Sequence, residues 1–174
     1  MTFFNPIARG AVVAVTILTA EALIFPTVSI AQELTYMDDR SGPKVLIQSY
    51  YNAINNQDYP RAYSYWGTPP TDFDTWSKGF ATTKHVSVIF GPTNDDPGAG
   101  SQYWALPVAI SSLGTDGKVT VFSGCYEISL VDPHNVQRPP YSPTSIESGH
   151  LTETNKPFQA AVPIYSRDDS CSGS

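Results

Sequence analysis

Leu46, Tyr50, Ala53 and Ile54 stand at i, i+4, i+7 and i+8, the spacing of one buried helical face, and predict a helix over about Pro43 to Asn55. Ser41 or Asp39 is the expected cap, with Pro43 in the tolerant first turn. The Asn55-Asn56-Gln57 turn closes this helix. A second helix is expected over about Tyr59 to Trp66, capped by Asp58, and Gly67-Thr68-Pro69-Pro70 stops it. Thr71-Asp72-Phe73-Asp74 has the form of a capping box with Asp in the last place, and Phe73, Trp76 and Phe80 follow at helical spacing. A third helix therefore covers about Asp72 to Thr82.

Beyond this point the period changes. His85 to Phe90 is β-branched and bounded by Gly91 to Gly98, which reads as strand and then loop. Gln102 to Ser112 and Val119 to Val131 alternate apolar and polar residues on either side of Gly114-Thr115-Asp116-Gly117, a hairpin signal. Pro107 within the first arm predicts a bulge or an unpaired edge. A last strand is expected over about Thr144 to Thr152, after a Pro-rich loop. The later positions Phe158, Ala160, Val162 and Ile164 alternate loosely and allow a short edge strand.

The order of three helices followed by antiparallel strands is an α+β order. VLIQSYYNAINNQDYPRAYSYW (Val45 to Trp66), with paired tyrosines, an Asn-rich turn and an Asp58 cap, resembles the opening of the nuclear transport factor 2-like superfamily. FSGCYEISL and TSIESGHL downstream reinforce the resemblance, which covers about Pro43 to Thr152. It implies a single cystatin-like cone, three N-terminal helices packed in the concavity of a strongly curved antiparallel sheet. It also allows a homodimer through the exposed sheet face. The superfamily holds enzymes and binding modules on one scaffold, so fold does not decide activity.

The chain divides into four parts. Residues 1–31 read as a signal peptide, with Arg9 before the apolar run Ala11 to Ala20 and a small-x-small site at Ser29-Ile30-Ala31. Glu21 and Pro26 interrupt the apolar segment before the roughly 20 residues a spanning helix needs, so the expected product is exported, to the periplasm or outside the cell, with no membrane contact after cleavage. Residues 32–42 form an extended lead-in, 43–154 the domain, and 155–174 a C-terminal tail. A formal charge of −6 disfavours nucleic acid and anionic membrane as partners, since both demand a basic stripe. Cys125 and Cys171, the chain's 2 cysteines, form an even pair in an oxidising compartment, and a disulfide between them would tether the tail.

For chemistry, an isomerase-like site needs a phenol opposite a carboxylate base, and Tyr50 or Tyr51 with Glu127 or Glu147 are the candidates. A dehydratase-like site would pair His85 or His150 with an acid. In a regular strand Glu147 and His150 face opposite ways, and a bulge at Gly149 would bring them together. The three histidines lack metal-ligand spacing, so no metal and no cofactor is expected. The aromatic residues Tyr50, Tyr63, Trp66, Trp76, Trp104 and Tyr126 are the pocket candidates. Aromatic abundance without a secure acid–base pair favours non-catalytic binding of a small, partly apolar ligand or a partner segment. The alternatives are a cofactor-free isomerase, dehydratase or hydrolase in the same cone, and a purely structural module with a filled core.

Overall fold

The computed structural model describes residues 35–98, 100–132, 134 and 144–164. The expected signal peptide, the loop beyond His134 and Cys171 lie outside the described residues. The first helix, α1 (Pro43–Asn55), has the expected limits, but its N-cap is Gly42 and no side chain caps it. Asp39 instead accepts from the Ser41 backbone N–H at 2.9 Å, closing a local turn ahead of the helix. Asp58 does cap α2 (Tyr59–Tyr63), accepting from the Arg61 N–H. This helix ends earlier than expected, because Trp66 leaves the helical path and bridges Ile146. The cap of α3 (Phe73–Lys78) is Asp72 rather than Thr71, and its carboxylate takes the Thr75 N–H at 3.0 Å.

Strands β1 (Thr83–Phe90), β2 (Asn94–Gly98), β3 (Ser101–Gly114), β4 (Val119–Val131) and β5 (Thr144–Glu153) follow. They form an open antiparallel sheet in the order β1-β3-β4-β5, with β2 paired to the first part of β3. The β2 segment was expected as loop, since NDDPG has turn composition. Its backbone pairs because Gly100, at a φ of 76°, turns the chain back along the extended start of β3. The hairpin joining β3 to β4 turns at Gly117, with a φ of 82°.

Pro107 lies neither at a bulge nor on an edge strand. It is in register with Cys125 in central strand β3, where β1 pairing stops at Val108 and β2 pairing starts at Ala105. Its carbonyl accepts from the Gly91 N–H at 2.8 Å, so its missing N–H falls in the gap between the two neighbours. Asn55, at the end of α1, bonds the β1 backbone twice at Val86, donating at 2.8 Å and accepting at 2.7 Å. Leu46, Ile47, Ala53, Leu106, Val108, Ile128 and Ile146 form a core from which water is excluded.

The lead-in, described from Thr35, is fastened to α1 and α2. Ser49 takes the Asp39 N–H at 2.8 Å, and Arg61 donates to Asp58, to Asn52 and to the Met37 carbonyl. The phenol of fully buried Tyr65 donates to Asp38 at 2.7 Å, and Arg40 lies 4.2 Å above the Tyr65 ring. At the other end, Phe158–Ala160 is a 3-10 turn instead of an edge strand. The Ala161 carbonyl just beyond it accepts from Ser123 at 2.6 Å.

Candidate functional site

Residues directly opposite each other across β3 and β4 share a face of the sheet. Leu106 with Tyr126, Ile110 with Phe122, and Ser112 with Thr120 lie on one side. Gly149 and Leu151 of β5 join them, opposite Tyr126 and Gly124. This is the Tyr126 face, and the Tyr51 phenol of α1 meets it with a 2.5 Å hydrogen bond to the Tyr126 phenol.

Below that bond lies a cavity of about 320 Å³. Tyr50, Tyr51, Trp66 and Tyr126 line one end of it, and Phe80, Thr83, Val86, Ile110, Ser112, Phe122 and Leu151 complete its walls with Gly79 and Gly149. Gly149 is needed there, because a Cβ would stand 2.6 Å from the Tyr126 ring and 3.4 Å from Trp66. The rings of Tyr50, Trp66 and Tyr126 meet edge to face at 6.0 to 6.3 Å, an arrangement their quadrupoles favour. Among the described residues no charged side chain lines the cavity.

The phenols are held protonated. Burial first, and then the neighbouring Tyr126 phenol, push the Tyr50 and Tyr51 hydroxyls well above their ordinary value of 10.0. Burial raises Tyr126 too, against a smaller opposing effect of its bond with Tyr51. Trp66 offers a donor of a different kind. Its Nε1 is buried and turned toward the Tyr50 phenol, whose upward shift it partly opposes, although the two fall short of full hydrogen-bonding geometry. An indole N–H donates only, so it is satisfied by an acceptor and by nothing else.

The opposite side, the Glu127 face, carries the candidate acids. Glu127 accepts from Ser148 at 2.9 Å. Glu147 accepts from Ser129 at 2.6 Å and Ser145 at 2.8 Å, both of them buried serines. The bulge of β5 falls at Glu147, opposite the step from Glu127 to Ile128, and not at Gly149. It leaves Glu147 on the same side as Ser145 and Ser148. His150 pairs with Cys125 on that side too and is exposed. Glu127, Glu147 and His150 therefore share one face, and Tyr50 lies across the sheet from all three. Among the described residues no group of acids, histidines and cysteines has the geometry of a metal site.

Of the six aromatic pocket candidates, Tyr50, Trp66 and Tyr126 line the cavity. Tyr63 and Trp76 pack on each other at 5.3 Å, and Trp104 rests against the core from outside the cavity. Phe80, Thr83, Ile110, Ser112, Gly149 and Leu151 also line it, beyond the six aromatic candidates. A signal for some of them was present: along alternate positions of one arm, Leu106, Val108, Ile110, Ser112 and Gly114 run from apolar to polar, as a face does when it leaves a core for an opening.

Comparison of the chain with protein-family models, with curated proteins and with solved structures returns no match in any of the three.

Proposed function

We propose that this chain is an exported domain that binds a small, partly apolar molecule in the aromatic cavity without transforming it. In this reading the domain is a nuclear transport factor 2-like cone, with the helices in the concavity of a curved sheet and Cys125 joined to Cys171. The cavity carries the proposal. Its volume of about 320 Å³ lies at the lower end of the ~300–1,000 Å³ typical of small-molecule sites, and its walls combine apolar rings with a few convergent donors. That space weighs against a filled, purely structural core. The placement of Glu127, Glu147 and His150 on the other face weighs against acid–base chemistry within it. No helix among the described residues is long and apolar enough to cross a membrane.

Thermal unfolding in the presence of 2-naphthol tests the binding reading. A ligand at a hundred times its Kd stabilises the fold by about 2.7 kcal/mol, so the midpoint rises with 2-naphthol concentration. Ile110→Trp, which fills the cavity, removes the rise. A midpoint indifferent to 2-naphthol in the unaltered protein refutes the reading. Thiol titration of the denatured, unreduced protein checks the bridge: the reading requires no reactive thiol before reduction, and two free thiols would exclude it.

A further inference from the structure

The aromatic cavity does not end at its polar rim. A second cavity of about 320 Å³ adjoins it, and Thr83, Ser112 and Phe122 line both. The pairing explains the continuity. Ile110 opposite Phe122 and Ser112 opposite Thr120 are successive steps along the Tyr126 face toward the β3–β4 turn, so one surface floors both chambers. Across that step the chemistry changes. Thr82, Thr115 and Thr120 bring hydroxyls to the outer chamber beside those of Thr83 and Ser112 at the waist. Each hydroxyl both donates and accepts, which suits a partner that does the same.

Charge narrows the choice. Among the described residues, the charged ones lining the outer chamber are Asp116 and Lys118, of opposite sign and two positions apart on the turn. Asp116 already uses one carboxylate oxygen to accept the Lys118 backbone N–H at 2.9 Å. A chamber with no net charge and a wall of hydroxyls favours a neutral, polyhydroxyl group over an anion or a cation. Phe122 at the waist supplies a ring face against which the C–H side of a sugar packs.

Resting on the binding function proposed above, we propose that the ligand is an uncharged amphiphile of the glycoside class: a compact aromatic or alicyclic body in the inner chamber, joined at the Ser112–Phe122 waist to a multiply hydroxylated head in the outer one. The inner chamber offers the body apolar rings, while the outer chamber reads the head by its hydroxyls.

Isothermal titration with 2-naphthyl β-D-glucoside, 2-naphthol and 2-naphthyl phosphate tests this. The glucoside is expected to bind about tenfold more tightly than 2-naphthol, the gain that one or two net hydrogen bonds supply. The double substitution Thr115→Val and Thr120→Val keeps the β-branched shape and removes two hydroxyls. It should lower the glucoside's affinity to that of 2-naphthol and leave 2-naphthol binding unchanged. Equal binding of glucoside and 2-naphthol overturns the assignment of the head group while the binding function stands. Tighter binding of the phosphate overturns it in favour of an anion site. If no probe binds, both readings fall together.

Discussion

The two faces of the sheet use the same strands for opposite ends. On the Tyr126 face, phenols and an indole enclose space: Tyr51 and Tyr126 are tied by one bond, and the Trp66 N–H lies against the Tyr50 phenol in less than full hydrogen-bonding geometry. On the Glu127 face, polar groups are matched among themselves, Glu147 with two serines and Glu127 with a third. A carboxylate oxygen of each of these acids is engaged by neighbouring serines on the side of the sheet away from the cavity. The binding function we propose draws on the face that encloses space, although the other face holds the residues that look more reactive.

High pH should break the comparison most severely. Burial, followed by its bond to Asp38, lifts the Tyr65 phenol from 10.0 to about 12, and burial lifts Tyr50, Tyr51 and Tyr126 in the same direction. A phenol that holds its proton more tightly when folded adds stability that is complete below the unfolded value of 10.0 and disappears as pH rises through about 12. Phenolate absorbance from Tyr65 should therefore appear together with the loss of near-ultraviolet circular dichroism between those values, and that of Tyr50, Tyr51 and Tyr126 no earlier. Ionisation well before any loss of structure would contradict their burial.

Ile128→Ala comes next. Ile128 is fully buried on the Tyr126 face, and its truncation should cost about 2–5 kcal/mol in urea unfolding. Tyr51→Phe is milder, leaving the buried Tyr126 hydroxyl without its partner at a cost of about 1–3 kcal/mol. The smallest effect belongs to the other face. Glu127→Gln keeps an acceptor for Ser148 and should change stability by about 0.5 kcal/mol or less, with 2-naphthol affinity unaltered. A large loss of binding in this last variant would reverse the assignment of the faces.

Much of this arrangement was legible in the sequence, for identifiable reasons. The periodicity of Leu46, Tyr50, Ala53 and Ile54 and the Asn-rich turn set the limits of α1. Alternation about Gly114 to Gly117 set the β3–β4 hairpin, and three of the cavity's aromatic residues followed from their concentration in a few segments. The rest depends on long-range geometry that no local pattern carries. Asn55 reads as a helix terminator, and only the fold gives it a second task at Val86. Pro107 reads as a strand breaker because the gap between β1 and β2 that accommodates it belongs to its neighbours. The bulge at Glu147 shifts the alternation of β5 by one residue, so the side on which His150 and Glu147 meet follows from pairing with β4 and not from their spacing. Ser112 and Thr83 are ordinary polar residues until the two chambers meet beside them.

The central claim is that the Tyr126 face holds the ligand. Intermolecular nuclear Overhauser effects from protons of bound 2-naphthol test it directly. The account predicts contacts to the methyl groups of Val86, Ile110 and Leu151 and to the rings of Tyr126 and Phe122. Contacts to Cys125, Ser148 or His150, on the Glu127 face, would contradict it.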